Sequence, residues 1–488
     1  MALAVLSLLV VLSDSSSANL AVRADPLGAV VSLLVFFVGW VIVRFSQPYL
    51  KGERGEGHYV RWMLATLATV GLVLSANHVL LLALAWTATS FALHRLLTFY
   101  SDRSAAVVAA HKKAIVARAA DVCMFGAVAL FYAAFETLQI DHIMRLVAEA
   151  QQVPLAAQAA VLLVVCAALM KCAQLPFHGW LIQVMEAPTP VSALLHAGVV
   201  NLGGFVLMRF APLVSDVPAA QVLLVVAGAT TAVVAALVMT TRISVKVMLA
   251  WSTCAQMGFM LIQCGLGVWE MALLHLVAHS LYKAHSFLGA GGAVRRASLE
   301  KLTPRGAPPS LSGLAVGVLI GAAMTACAGW ASTWLPWAPV ATPTLAMWVL
   351  VSIVSIALVP LVHAQSLQLG GGWLPALGLG AFGVALVYFG LHGLLAAWFP
   401  APAVEPSVTH LMLCGWVALA FAALFILQSI VALSPAGALA RRLYPWFYGG
   451  LFLDEKFNQL AFGWFPPPKP PAATSVLPTP GVSQGART

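Results

Sequence analysis

Long apolar runs separated by short polar segments make up the chain as far as about residue 432. A typical run is about 20 residues long, the length that an α-helix needs to cross the hydrocarbon core of a bilayer. The runs do not alternate apolar and polar residues, which argues against a transmembrane β-barrel. The pattern predicts an all-α, polytopic membrane protein of about 13–14 transmembrane helices, some of them broken. The predicted spans are 1–12, 27–45, 60–75, 78–99, 113–134, 157–187 (broken), 190–210, 219–240, 246–264, 270–291, 311–330, 344–364, 374–398 and 408–432.

The composition agrees with this pattern. Of the 488 residues, 61% are hydrophobic and only 8% are charged, whereas soluble domains carry about 25% charged residues. The net charge of +9 does not indicate nucleic-acid binding, because the basic residues lie in short loops between apolar runs. The seven cysteines form no CxxC pair. A disulfide framework, a zinc site or an iron–sulfur cluster is therefore not expected, and we expect no cofactor in this chain.

The loops sort by charge into two sets. One set is basic, with Lys51, Arg103, Lys112, Lys113 and Arg242 among its members, and the other is mostly acidic. Basic loops face the cytoplasm in membrane proteins, so this side and the C-terminus are predicted to be cytoplasmic.

The chain beyond the last span divides into two segments. Residues 433–465 are aromatic and amphipathic, and we expect them to dock a soluble partner or to lie on the membrane. The predicted docking residues are Tyr444, Trp446, Phe447, Tyr448 and Asp454. Residues 466–488 are rich in Pro, Ser, Thr and Gly, a composition that predicts disorder.

One segment places a charge beside a helix break. Lys171 ends an apolar run, and Pro176 and the turn at Pro188 follow it. A lysine can also extend its charged end to a membrane interface. The residues between Lys171 and Glu186, however, place this lysine well inside the membrane, where charges and broken helices are costly and typical of ion pathways. Because burial favours the neutral amine, we expect Lys171 to take up and release a proton.

A second group lies on one later span. His275, His279 and Lys283 recur every four residues, a spacing that stacks side chains on one helix face. Two histidines and a lysine within a span indicate a hydrated proton wire. The alternative, a metal site, is disfavoured because no carboxylate or cysteine ligand accompanies the row.

Five further residues complete the candidate set. His196 lies about two turns into a span, and Lys246 lies near a predicted cytoplasmic end, where it could simply set topology. Arg118 and Asp121 have the i, i+3 spacing of a helical ion pair, which is either structural or a charge partner of the polar axis. Glu186 is either a partner of Lys171 or an interfacial acid.

These residues lie in motifs that resemble those of the proton-translocating antiporter-like membrane subunits of complex I and of multisubunit cation/proton antiporters. The resemblance covers about residues 60–295, with its motifs at 171–196, 246–260 and 114–122. It implies a core of inverted repeats with broken helices. It also implies a polar axis for a proton or another cation, formed by Lys171, His196, Lys246, His275, His279 and Lys283.

Two positions depart from the family pattern. Where complex I relatives usually have Trp-Glu on an early helix, this chain has Trp86 and Thr87. The family's second broken helix usually carries a lysine, but no Asp, Glu, Lys or Arg occurs between Arg305 and Glu405. The acidic partner of the central lysine and the late lysine are therefore both missing.

Residues 92–100, 109–113 and 178–186 resemble the membrane subunit of DAB-type inorganic-carbon accumulation complexes of the bacterial inner membrane. This resemblance implies a cation-conducting transport subunit without enzyme chemistry of its own. It also implies a large, soluble, carbonic-anhydrase-like partner on the cytoplasmic face, where a zinc ion hydrates CO2 to bicarbonate. One alternative is an antiporter-like subunit of a complex I, hydrogenase or multisubunit antiporter, and another is a passive membrane anchor.

The predicted organisation has five parts. These are N-terminal transmembrane helices (1–112), an antiporter-like core broken near 171–190 (113–300), C-terminal transmembrane helices (301–432), the amphipathic segment (433–465) and the tail (466–488).

Overall fold

The computed structural model describes residues 21–150, 152–300, 310–334, 344–364, 373–398 and 407–467. Within these ranges the chain folds into α-helices and short 3-10 helices, with two isolated β-bridges. The predicted all-α architecture is confirmed. The predicted span 1–12 and most of the predicted disordered tail lie outside the described residues.

The first half of the chain contains the interrupted helices. Its helices are α1 Pro26–Tyr49, α2 Glu56–Ser75, α3 Val79–Leu97, α4 Ser104–Phe135, α5 Ile140–Glu149, α6 Leu155–Lys171, α7 Gly179–Gln183, α8 Thr189–Ala197, α9 Leu202–Arg209, α10 Ala211–Ser215 and α11 Pro218–Met239. The 3-10 turn Val184–Glu186 follows α7, and the 3-10 turn Val199–Asn201 joins α8 to α9.

The second half is more regular. Its helices are α12 Val245–Gly265, α13 Trp269–Leu288, α14 Ala293–Glu300, α15 Leu311–Ser332, α16 Leu345–Ala364, α17 Trp373–Trp398, α18 Val408–Leu433, α19 Ala438–Tyr448 and α20 Leu453–Trp464. The 3-10 turn Gly450–Phe452 joins α19 to α20.

The predicted apolar runs from residue 27 onwards all coincide with helices. In the described part of the chain, nine helices are long and apolar enough to cross a membrane, with α8 and α9 counted as one span. Helix α13 is not among the nine, because its histidines and lysine lower its hydropathy.

Helix α4 begins earlier than the sequence pattern indicated. The predicted span began at residue 113, but the helix starts at Ser104 and contains both Lys112 and Lys113. The two lysines are 0% and 5% exposed. Their placement in a solvated loop was therefore wrong, and the predicted boundary at 112/113 falls within one helix. Each lysine has a tertiary partner, and single-chain hydropathy cannot reveal such partners.

Helices α11 and α12 pack closely at two glycines. A Cβ atom on Gly258 would lie 2.5 Å from the carbonyl oxygen of Gly228, and one on Gly228 would lie 2.6 Å from that of Gly258. Small residues allow the backbones of membrane helices to approach each other. A Cβ atom on Gly258 would also lie 3.2 Å from the Gln174 Oε1, so this seam packs beside the break after α6.

A cluster of charged side chains joins three helices at the end of the bundle opposite to Lys112. The Asp25 carboxylate caps α1 by accepting a hydrogen bond from the Gly28 N–H at 2.8 Å, and it pairs with Arg23 and Arg209. Arg209 also donates to the Leu74 carbonyl at 2.7 Å. Burial alone would raise the pKa of Asp25, but Arg209 and Arg23 outweigh it and hold this pKa below its ordinary value. The cluster joins α1, α2 and α9.

Candidate functional site

Helix α6 ends at Lys171 through a defined backbone motif. Ala173 has a left-handed conformation with φ of 52°, and its N–H donates to the Met170 carbonyl at 3.3 Å. The Gln174 N–H donates to the Leu169 carbonyl at 3.0 Å. This pair of bonds is a Schellman motif, in which the left-handed position is usually glycine. The sequence therefore stops the helix at the lysine and turns the chain away.

The backbone beyond the break is satisfied by side chains from elsewhere. The Trp180 indole N–H donates to the Met170 carbonyl at 3.3 Å, and the Leu175 N–H donates to the Thr231 hydroxyl at 3.1 Å. Unpaired backbone groups are costly at membrane depth unless protein or water satisfies them. The predicted break near 171–190 is present, and most of its residues are buried, with Pro176 exposed.

Lys171 and Lys113 meet at one serine. The Lys171 Nζ donates to the Ser90 hydroxyl at 3.0 Å and lies 4.4 Å from the ring centre of Trp86. The Lys113 Nζ donates to the Ser90 carbonyl at 2.5 Å. Both lysines are buried. Two amines on one residue share a small space, so charging one of them disfavours charging the other. We call Lys171, Lys113, Ser90 and Asp121 the lysine cluster.

Asp121 supplies the carboxylate of this cluster. It pairs with Arg118 at 2.8 Å, as the i, i+3 spacing predicted, and it attracts both Lys113 and Lys171 electrostatically. The Thr87 hydroxyl lies beside the Asp121 carboxylate. Thr87 is the position at which complex I relatives usually have a glutamate. The acid missing from α3 is thus replaced by an acid on α4 that faces the same space.

Glu186 does not join the lysine cluster. Its carboxylate lies 4.0 Å from the guanidinium of Arg103, and both side chains are partly exposed. Of the two alternatives for this residue, the structure supports the interfacial acid.

The histidine row forms a second group, on α13. The His279 Nδ1 lies 2.6 Å from the Gln256 Oε1, and its Nε2 lies 3.2 Å from the His196 carbonyl oxygen. A neutral imidazole donates from only one nitrogen. Protonated His279 can therefore donate to both oxygens. Neutral His279 can form both hydrogen bonds only if the Gln256 amide is reversed, so that its NH2 group donates to Nδ1. The side chain of His196 bonds to the Thr253 hydroxyl at 3.0 Å.

Two lysines extend this group towards the end of the bundle at which Lys112 lies. The Lys283 Nζ, fully buried, donates to the Ser252 hydroxyl and to the Leu249 carbonyl, the latter at 3.3 Å. Lys246 is half-buried, and its Nζ donates to the Thr189 hydroxyl at 2.8 Å. The histidine group is defined here as the side chains that line this path from α8, α12 and α13: His196, Lys246, Ser252, Thr253, Gln256, His275, His279 and Lys283.

His275 lies at the other end of the row. Its ring centre is 6.0 Å from that of His279 and 5.7 Å from that of Phe259. His275, His279 and Gln256 border a cavity of about 770 Å³ between α12, α13 and the C-terminal helices. Among the described residues, no group of three or more His, Cys, Asp or Glu side chains is placed to share a metal ion.

A buried 3-10 turn separates the lysine cluster from the histidine group. Val199, at its start, borders the same small cavity as Lys171. At its end, the Asn201 amide donates to the Ser280 hydroxyl at 2.8 Å, one residue after His279. The lysine cluster therefore lies beside the start of this turn, and the helix that carries the histidine row bonds to its end.

The predicted docking residues lie on α19 and α20, with mixed exposure. Tyr444, Trp446 and Tyr448 are each about half exposed, whereas Phe447 packs against the main core. Asp454 faces inwards and pairs with Lys112. Three of the five residues therefore lie on an aromatic surface at the bundle end that carries Lys112.

Several members of the two groups were missed by sequence reasoning. On α12, Ser252, Thr253 and Gln256 follow Lys246 at helical spacing, and this polar stripe could have been read from the sequence. Lys113 carried a misleading signal, because the neighbouring Lys112 and Arg103 made it resemble a loop charge. Ser90 carried no signal of its own, since serine is common in transmembrane helices.

The broken helix and the two buried groups match a known class. Residues 76–306 match a family model described as "NADH:quinone oxidoreductase/Mrp antiporter, TM", and residues 11–60 match one for the N-terminus of complex I chain 5. A solved Mrp complex from Dietzia sp. has the same fold, with a TM-score of 0.63 at 24% identity, over 94% of this chain and 55% of that one. The protein is an antiporter-like, multi-pass membrane subunit.

Two curated relatives narrow the class. A probable inorganic carbon transporter subunit, DabB2 of Halothiobacillus neapolitanus, is 36% identical over 92% of this chain and 81% of its own length. The corresponding DabB of Hydrogenovibrio crunogenus is 52% identical over 57% of this chain, and the match spans about half of that relative, 54%. The chain belongs to the DabB family of antiporter-like membrane subunits.

Proposed function

We propose that this chain conducts a cation, most simply a proton, and thereby drives inorganic carbon accumulation by a soluble partner subunit. The observation that carries the proposal is the pair of buried groups on either side of the 3-10 turn at Val199. Buried lysines and histidines with exchangeable protons, hydrogen-bonded to hydroxyl and amide side chains, are the components of a proton relay.

The order of these groups along the bundle supports a relay. Lys246 lies at the Lys112 end of the bundle, Lys283 and His279 follow inwards, and His275 borders the large cavity. Lys171 and Lys113 share Ser90 on the far side of the turn, with Asp121 as the counter-charge. A proton that reaches either lysine raises the cost of charging the other, so occupancy at Ser90 alternates between them.

The partner in this proposal is a large, zinc-dependent, carbonic-anhydrase-like subunit on the cytoplasmic face. The relatives named as inorganic carbon transporter subunits support it, and so does the aromatic surface of α19 and α20. The proposal also puts the chain in a bacterial inner membrane with its C-terminus in the cytoplasm, and the basic loops at the end of the bundle that holds these helices support that orientation.

Growth of a carbonic-anhydrase-deficient bacterium at air levels of CO2 tests the proposal. The chain expressed with its genomic neighbours should restore growth, and Lys171→Ala and His279→Ala should each abolish it at normal expression. The exposed substitution Lys51→Ala serves as the matched control and should grow normally. Full growth of the Lys171→Ala strain would refute the relay.

An antiporter-like role in a complex I, hydrogenase or multisubunit antiporter is the second candidate, favoured by the family-model matches over residues 76–306. Purification of the tagged chain separates the two. A single large zinc-containing soluble protein supports the carbon function, whereas several small membrane subunits support the antiporter assembly.

A further inference from the structure

The amphipathic C-terminal segment lies directly against the lysine cluster's helix. Helix α20 crosses the end of α4, where the Asp454 carboxylate accepts hydrogen bonds from the Lys112 Nζ at 2.7 and 2.9 Å. The Gln183 amide also donates to Asp454, at 2.8 Å. One side chain of the C-terminal segment thus joins α4 to α7, the short helix that follows the break.

The fit around Asp454 is tight. A Cβ atom on Gly179 would lie 1.5 Å from the Asp454 Oδ1, so only glycine at that position leaves room for the carboxylate. Two further contacts flank the pair: His111 bonds to the Phe465 carbonyl oxygen at 3.0 Å, and Phe457 packs edge-on against Phe177.

Lys112 needs this carboxylate. The lysine side chain is completely buried, whereas the side chain of Asp454 is 24% exposed. A buried ammonium without its partner is strongly unfavourable. Helix α20 therefore cannot leave α4 unless Lys112 moves, loses its proton or becomes hydrated.

The next residue on α4 belongs to the lysine cluster. Lys113 donates to the Ser90 carbonyl, and the hydroxyl of Ser90 accepts from Lys171. Any displacement of α4 at Lys112 changes the geometry at Ser90. A short covalent and hydrogen-bonded path therefore runs from Asp454 to Lys171.

We propose that Asp454 and Lys112 are positioning residues that couple the C-terminal segment to cation transfer at Lys171. The inference rests on the proposed function and adds a route for coupling to it. With α20 seated, Lys112 is neutralised and Lys113 is held on Ser90. A partner that grips the exposed aromatic side of α19 and α20, and lifts α20, exposes Lys112 and shifts the lysine cluster.

The test uses the full chain with its co-purifying partner in proteoliposomes, and it measures two quantities. Trypsin cleavage at Lys456, on the exposed side of α20, reports whether α20 is seated. Dye-monitored proton flux under an imposed pH gradient reports transfer. The variants are Asp454→Asn, Gly179→Ala and the charge exchange Lys112→Asp with Asp454→Lys, and the control is Gly415→Ala, which has open space around its Cβ position.

We expect Asp454→Asn to raise the cleavage rate and to change proton flux by about tenfold. Gly179→Ala should do the same without altering any titratable group, and the charge exchange should restore both quantities. Free α20 with unchanged flux in Asp454→Asn would overturn the coupling, and so would a charge exchange that reseats α20 without restoring flux. Wild-type flux in Lys171→Ala would instead overturn the proposed function itself, whatever happens to α20.

Discussion

The substitution Asp121→Asn removes the only acid that the described structure places beside Lys171. Its carboxylate faces Arg118 at 2.8 Å and attracts Lys113 and Lys171, and its side chain is 7% exposed. Asparagine keeps the shape of the side chain but leaves three cations without an anion. We therefore expect the charged forms of the two buried lysines to be disfavoured.

The size of the effect follows from the burial. Removing one partner of a buried ion pair costs about 3–5 kcal/mol. The Arg118 side chain is 56% exposed and keeps its hydration, so the lower figure applies. A change of about 3 kcal/mol corresponds to roughly a hundredfold change in an equilibrium constant. The equilibrium constant for protonating the lysine cluster should fall by about that factor.

Proton flux in proteoliposomes and growth at air levels of CO2 measure this loss. The exposed acid Asp102, changed to Asn, is the matched control. The double variant Thr87→Glu with Asp121→Asn returns a carboxylate to the same space from α3, and we expect it to recover much of the flux. Wild-type flux in Asp121→Asn, with normal expression, would refute the assignment of Asp121 as the counter-charge.

Three further predictions concern stability in detergent. Asp25→Asn should lower the free energy of unfolding by about 3 kcal/mol at neutral pH, because it leaves buried Arg209 unpaired. Since the pKa of Asp25 is depressed, its stabilisation is full above the ordinary value of 3.8 and is lost as pH falls through the lowered pKa. The melting temperatures of the variant and of the wild type should therefore converge as the pH falls into the acid range. A difference in melting temperature that stays constant with pH would contradict this reasoning. Ala173→Gly should raise the free energy of unfolding by about 1 kcal/mol, because glycine adopts the left-handed conformation without the steric cost that alanine has there. The melting temperature should rise accordingly, and a lower melting temperature would count against the motif. Gly258→Ala should destabilise by about 1–3 kcal/mol by forcing two helices apart, whereas Gly415→Ala should be neutral, and equal melting of the two variants would contradict the close contact.

The helices could be predicted from the sequence because hydropathy is a local property. The predicted spans from residue 27 to residue 432 agree with helices within a few residues, including the break after Lys171, apart from the early start of α4 and the interruption at Val199. The short amphipathic helix α5 was also missed, since it is polar on one side. Its polar residues made it look like a loop.

Pairing across helices could not be predicted, because it depends on which helices become neighbours. The four-residue spacing revealed the row of His275, His279 and Lys283, but not that His279 would face Gln256. The Lys171 break was evident from charge and proline, and Asp121 and Glu186 were both candidate partners, whereas the choice of Asp121 needed the packing of α3, α4 and α6. Lys112 shows the same limit, since a buried lysine and a loop lysine look alike in one sequence.

The interrupted span from Thr189 to Arg209 is enclosed by protein along its whole length, whereas α18 lies mostly on the outside of the bundle. Lipids therefore have no direct contact with the turn that separates the two buried groups. Changes in acyl-chain length or headgroup can reach that turn only through the surrounding helices. Cation transfer across this turn should consequently be less sensitive to membrane composition than the packing of the C-terminal helices. Lipids would then affect assembly of the bundle more than they affect transfer.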